Sequence, residues 1–244
     1  MIADSTLHKP TDLPNQPPAD AKFASLPGAG HAGAPSAAPP RPHNEAARLA
    51  ALRAQQVLDS LPEQMFDDIV RVASNVCGTP IALISLVDED RQWFKAKVGL
   101  QASETPRDQA FCAHAILEPD QPLVVPDATQ DPRFAQNPLV TGSPDIRMYA
   151  GAPIVSHSGH ALGTVCVIDQ TPRELTPDQI DSLQALSRQV SHLLELRRVT
   201  RNSVDSVQSQ LLAKSDKLRE AQRQVEDLKA QVASLQAELS TFKR

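Results

Sequence analysis

Residues 104–117, ETPRDQAFCAHAIL, concentrate side chains able to do chemistry: Arg107, Asp108, Phe111, Cys112 and His114. A thiol two residues from an imidazole invites a nucleophile–base reading, since a neighbouring base or cation lowers a thiol pKa. Thr105, Pro106 and Asp108 fit a helix start as N-cap, N1 and N3, which predicts a helix over 106–117. Helical geometry then counts against the dyad. Residues two apart differ by about 200° around the axis, so Cys112 falls beside Asp108 and Ile116, and His114 beside Phe111 and Leu117. Asp108 next to Cys112 would raise the thiol pKa rather than lower it. A packed cysteine with a cavity-edge or capping histidine is the favoured state, and redox sensing by Cys112 alone stays open.

The other reactive groups are scattered. Of the three cysteines (Cys77, Cys112, Cys166) none lies in a CxxC, which argues against a disulfide framework and a zinc knuckle. Cys166 sits in an apolar run over 162–168, where a thiol acts as a small buried hydrophobe. Asp127, Asp131, Arg133, Asn137 and Arg147 either line a polar pocket or cap turns and pair with one another, and turn-capping is favoured. His157 and His160 have the spacing of metal ligands but no thiol or carboxylate beside them, and read as a hairpin tip. Ser191-His192 faintly suggests a phosphoacceptor box, without the Glu directly after the His or the closing Pro. No metal or cofactor is expected.

Charge restricts the partners. Residues 44–199 carry 13 Lys/Arg against 20 Asp/Glu, a balance of −7 in a chain at −5 overall. A domain so acidic lacks the basic stripe that nucleic acid requires. The start, MIADSTLHKP, has no charged n-region followed by an apolar stretch, and no run of 18 apolar residues occurs, so the expected location is cytoplasmic, with no membrane contact. Residues 1–43, rich in Pro, Ala, Gly and Ser, cannot bury enough surface to offset the entropy of ordering, and are expected to be disordered.

Periodicity supplies the elements that would hold the reactive stretch. Helical spacing begins after Asn44 through Leu49, Leu52, Val57 and Leu61, and resumes over 62–76 through Phe66, Ile69, Val70, Ala73 and Val76, with Gly78 as a C-cap. Strands are predicted over 81–87, 92–98, 123–125, 147–155 and 161–169, with turns and one short helix over 127–137. The fold class is α+β with a mainly antiparallel sheet. From Thr176, a cap with Pro177 at N1 and Gln179 at N3, no breaker precedes Arg244. One heptad register fits throughout, with a positions from Leu183 to Leu239 and d positions from Leu186 to Phe242; only Arg197, Thr200 and Lys214 are not apolar. That pattern predicts a coiled coil, and Val at a with Leu at d favours a parallel homodimer. Glu238 with Lys243 is one attractive pair along an otherwise Gln- and Ser-rich flank. The polar cluster either sets register as a signalling hinge or is a tolerated defect.

Six segments resemble the GAF domain of bacterial sensor histidine kinases and diguanylate cyclases, in order and without a large gap: ARLAALRAQQVLDSLPEQMFDDIVRVAS (47–74), PIALISLVDEDRQWFKAKVGL (80–100), ETPRDQAFCAHAI (104–116), PLVVPDATQDPRFAQNPLV (122–140), IRMYAGAPI (146–154) and ALGTVCVIDQTPREL (161–175). The resemblance implies a GAF domain over 44–198, with terminal helices on one face of the sheet and a ligand cavity on the other. It also implies an exit helix that passes signals onward, here continued by a coiled coil over 199–244. Pocket candidates are Trp93, Arg107, Phe111, Cys112, His114, Asp127, Arg133, Arg147 and Tyr149. The cysteine arrangement of the methionine sulfoxide reductases in this family, the bilin-attachment pattern and the NKFDE signature are absent, as are GGDEF and EAL motifs. The expectation is therefore a non-catalytic sensory module that dimerises, with a histidine kinase or diguanylate cyclase as partner in trans. The alternative is a ligand-free docking adaptor, and a cysteine-based redox sensor or enzyme comes third.

Overall fold

A computed structural model describes residues 39–242, so most of the proline-rich tail, and Lys243 of the proposed Glu238 pair, lie outside the described residues. Helix α1 (Glu45–Ala54) buries Leu49 and Leu52. It stops short of the predicted end because Gln56 and Asp59 adopt left-handed backbone (φ 48° and 57°), a conformation that cannot continue a right-handed helix. Val57 still reaches the core from this irregular segment. Helix α2 (Gln64–Cys77) buries Phe66, Val70, Ala73 and Cys77, one stripe at helical spacing. Gly78 closes it at φ 63° with its N–H on the Ser74 carbonyl, the left-handed cap that glycine adopts without strain.

Strands β1 (Ile81–Val87), β2 (Arg91–Val98), β3 (Glu104–Pro106), β4 (Leu123–Val125), β5 (Met148–Val155) and β6 (Ala161–Asp169) form one sheet in the order β3-β2-β1-β6-β5-β4. Every pairing is antiparallel. The period-2 alternation of side chains divides the core in two. Ala82, Ile84 and Leu86 of β1, with Val165 and Val167 of β6, join α2 and the last helix on one face. Ile81, Leu83 and Val87, with Cys166 and Ile168, form the opposite face. Between β1 and β2 the register slips at Ile84 and Ser85, which leaves Lys95 of β2 as an extra residue. That bulge puts Trp93, Lys95 and Ala96 all toward the helical face, an assignment that strict alternation cannot make.

The reactive stretch folds differently from the predicted helix over 106–117. Glu104–Pro106 is β3, paired with β2 through Gln92–Thr105, and Arg107–Gln109 makes one 3-10 turn. Helix α3 covers only Phe111–Ala115. The Thr105-Pro106 cap signal was a strand end, because Thr105 side by side with Gln92 gains a sheet partner that a lone cap cannot match. The short helix expected within 127–137 instead begins one residue later as α4 (Pro138–Thr141), where Asn137 Oδ1 accepts from the Leu139 N–H.

Helix α5 (Pro177–Phe242) starts at the predicted capping box: the Gln179 N–H donates to Thr176 Oγ1 at 3.3 Å and the Thr176 N–H to Gln179 Oε1 at 2.9 Å. Its 66 residues extend about 100 Å. Leu183, Val190 and Leu194 are buried against the sheet. The first heptad positions thus serve the domain itself. Beyond Thr200, Val204, Val207, Leu211, Leu218, Val225, Leu228, Val232, Leu235 and Leu239 stand exposed along one seam.

Candidate functional site

Between α3, β5 and β6, on the face away from α5, lies a narrow cavity of about 30 Å³ walled by Phe94, Phe111, Leu139, Ile146 and Ile168. That volume holds one or two waters. Four sulfur and hydroxyl groups meet at its wall. Thr164 Oγ1 donates to Cys112 Sγ at 3.0 Å, Tyr149 Oη donates to the same sulfur at 3.3 Å, and Cys166 Sγ lies 3.9 Å away. Burial pushes the Cys112 thiol up, but contacts with Cys166, Ser85, Thr164 and Tyr149 outweigh it and hold the thiol below its ordinary range. Cys166, hydrogen-bonded to Cys112 and buried, lies well above that range. Tyr149 likewise resists ionisation because it is buried beside both sulfurs.

The backbone makes room for this group. Gly151 sits two residues from Tyr149 on the same side of β5, and a Cβ there would fall 2.1 Å from Tyr149 Oη. At the polar end, Gln92 Nε2 donates to Thr105 Oγ1 at 3.3 Å while buried Gln92 Oε1 has no protein partner.

Of the pocket candidates, Phe111, Cys112 and Tyr149 line this cavity. Trp93 is on the helical face, within the other core. Arg107 is a clamp: it bonds Glu45 Oε1 at 2.5 Å and the Asp88 carbonyl at 2.9 Å, which ties α1 to the β1–β2 turn. His114 is half-buried, edge-on to Phe134 with ring centroids 4.8 Å apart; burial, and then the charge of Arg133, lowers its pKa. Phe134 in turn stacks on Phe111 at 4.0 Å. Asp127 Oδ1 accepts from the Thr129 N–H and hydroxyl, and Asp131 holds Arg133 at 2.6 Å. Arg147 donates to the Val140 carbonyl at 2.8 Å. These are turn-capping and loop-bracing roles.

The anticipated neighbour of Cys112 is also different. With α3 beginning at Phe111, Asp108 is no helical neighbour of the thiol, and the groups around the sulfur are Tyr149, Thr164 and Cys166. Cys166 and Thr164 were missed as site residues because their run reads as uniform buried strand. The signal was their shared parity with Ile168 on β6.

A second polar network marks where α5 leaves the domain. Lys95 is fully buried and spends its three N–H groups on Ser60 Oγ, the Leu61 carbonyl and Glu63 Oε1 at 2.7–2.8 Å. Arg197 donates to the same Glu63 oxygen at 2.9 Å and to the Gln56 carbonyl at 2.8 Å. The first polar break in the heptad seam is therefore an anchor to the α1–α2 loop. Burial raises the Glu63 pKa, and Lys95 and Arg197 bring it below its usual value. Upstream, Ser187 donates to the Pro153 carbonyl, at 2.5 Å, and the Val155 N–H donates to Ser191 Oγ at 3.2 Å. Those backbone groups lie beyond the stretch of β5 that β4 pairs, so two serines of α5 complete the strand edge.

An antiparallel sheet with helices on one face and a cavity under a short helix on the other defines the class: the chain belongs to the GAF domain family, whose model matches residues 61–194. It is 42% identical over 170 residues to a cyclic di-GMP phosphodiesterase of Pseudomonas aeruginosa, a match that covers 69% of this chain and 29% of that protein. Among solved structures it resembles the blue-light absorbing PixJ GAF domain of Thermosynechococcus elongatus (16% identity, TM-score 0.50, 66% of this chain and 96% of that one). It also resembles the GAF domain of an Acinetobacter phosphoenolpyruvate-protein phosphotransferase (19% identity, TM-score 0.48, 63% and 95%).

Proposed function

We propose that this chain is a homodimeric signal-relay module in which the state of the GAF domain is passed along α5, acting in cyclic di-GMP turnover. The observation that carries the reading is α5 itself. It is fastened to the sheet through Leu183, Val190 and Leu194, to the β5 edge through Ser187 and Ser191, and to the α1–α2 loop through Arg197. It then continues as an exposed apolar seam that a second helix of equal length would cover. The seam broadens at the domain, where Met65, Val72 and Val76 of α2 are exposed and a groove lined by Met65, Leu193, Leu196 and Val204 runs between α2 and α5. The cyclic di-GMP context rests on the Pseudomonas relative, whose name carries that activity. A diguanylate cyclase or histidine kinase acting in trans is the matching output. No helix among the described residues is long and apolar enough to cross a membrane.

A docking adaptor without ligand is the second reading, and the cavity favours it. About 30 Å³ is far below the roughly 300 Å³ or more that a metabolite-sized ligand occupies. A ligand would have to move α3 outward, and unpartnered Gln92 Oε1 would accept a hydrogen bond from it. Sedimentation of the full chain at micromolar concentration is expected to give a dimer, and the double variant Leu211→Lys/Leu218→Lys a folded monomer. A wild-type monomer would end the relay proposal. Native mass spectrometry after mixing with cell extract separates the two readings by whether a small mass stays bound.

A further inference from the structure

We propose that Cys112 and Cys166 form a peroxide-reactive dithiol, with Cys112 as the attacking sulfur and Cys166 as the resolving one. Four features meet here. The sulfurs are 3.9 Å apart, close enough that a shift of about 2 Å brings them to disulfide length. Cys112 stands on α3, a helix of five residues that can make that shift, while Cys166 is fixed in the middle of β6. Two hydroxyls, of Tyr149 and Thr164, donate to the Cys112 sulfur. The cavity that both sulfurs line has room for one or two waters, which is also the size of hydrogen peroxide.

The donors choose the nucleophile. Hydrogen bonds to a thiolate favour the charged form, and the hydroxyls of Tyr149 and Thr164 both reach Cys112 Sγ, at 3.3 and 3.0 Å. Cys112 gives up its proton and attacks one oxygen of the peroxide. An S–O bond forms, the O–O bond breaks, and the departing hydroxide takes that proton and leaves as water. Cys112 is now a sulfenic acid, oxidised by two electrons, and the peroxide is reduced. The Cys166 sulfur then attacks Cys112 Sγ; the S–S bond forms, the S–O bond breaks, and the hydroxide leaves with the Cys166 proton as a second water. The product draws α3 toward β6. On the other side of β6, Val165 and Val167 share a core with Leu183 and Val190 of α5, so the change is made on a strand that the exit helix touches.

Cys77 is the internal control, because it is buried in the opposite core and burial raises its thiol pKa. The full chain is treated with hydrogen peroxide near neutral pH, quenched, denatured, alkylated and digested. The expected product has a Cys112–Cys166 crosslink and an alkylated Cys77, and a dithiol reductant reverses it. Cys166→Ala should stop at a sulfenic acid on Cys112 that a cyclic dione traps. Tyr149→Phe, checked for native circular dichroism, should slow the reaction by about tenfold or more, the effect of one lost hydrogen bond to the thiolate. Three alkylated thiols after a peroxide dose that fully oxidises glutathione would overturn the proposal, as would a crosslink through Cys77. An unchanged rate in Tyr149→Phe would overturn the role given to the donors.

Discussion

The two faces of the sheet use the same strands for opposite purposes. On the helical face, apolar side chains close completely: Phe66, Val70, Leu183 and Val190 are all fully buried. Of the polar groups beside them, Lys95 meets three acceptors and Glu63 serves both it and Arg197, while Gln55 Oε1 has no protein partner. On the cavity face, Phe111 and Phe134 stack beside a small void, and Gln92 Oε1 is left without a partner. A buried acceptor without a partner is costly, whereas a buried cation with all its donors used is a rigid joint. The first face is therefore rigid where α5 is fastened to it, and the second keeps a small void beside an unpaired acceptor.

That contrast sets the largest effect. Leu183→Ala removes packing where α5 crosses the sheet and should cost about 3 kcal/mol in urea unfolding; a cost below about 1 kcal/mol would mean that the helical face is no better packed than the cavity face. Gly151→Ala should cost less, roughly 1–2 kcal/mol, because the Cβ collides with Tyr149 Oη and the ring can tilt into the void. Near-ultraviolet circular dichroism of this single-tyrosine chain should report the displaced ring, and an unchanged spectrum would refute the proposed crowding. Arg197→Ala should leave the domain folded but fray α5 at its exit, with faster amide exchange from about Glu195 onward and a loss of about 1–2 kcal/mol. If exchange there is unchanged, Arg197 is not the anchor.

Sequence periodicity revealed the elements whose burial follows a single rule. Strand β6 and helix α2 fall where the alternating and helical patterns put them, and the Thr176–Gln179 box opens α5. It misread elements decided by tertiary partners. Thr105-Pro106 has the chemistry of a helix cap, yet Thr105 pairs with Gln92 across two strands. The bulge at Lys95 sends Trp93 and Lys95 to one face and leaves Phe94 on the other, and nothing local announces it. The candidate site was half legible. Phe111, Cys112 and Tyr149 belong together, but Cys166 and Thr164 lie 54 and 52 residues further along the chain, so that no local spacing could join them to Cys112. Arg107 attracted attention as a charge in the reactive stretch, and its partner Glu45 lies 62 residues earlier.

The last prediction concerns that pair and separates a clamp from a ligand contact. Burial raises the Glu45 pKa, but hydrogen bonds and charge from Arg48 and then Arg107 override it, bringing it from 4.5 down to about 2. A carboxylate depressed in the folded state contributes stability that is whole above its unfolded pKa and is lost as pH falls through the folded one. The Glu45 contribution should therefore be intact above about pH 4.5 and vanish between there and about pH 2. Glu45→Gln removes this dependence, so the melting temperatures of wild type and variant should differ at pH 6 and converge toward pH 2. Arg48 and Arg107 are both buried on this one carboxylate, and the variant leaves them without a counter-charge at every pH. If the wild-type and variant curves instead run parallel from pH 6 to pH 2, Glu45 titrates as a free carboxylate, and Arg107 does not clamp α1 to the β1–β2 turn.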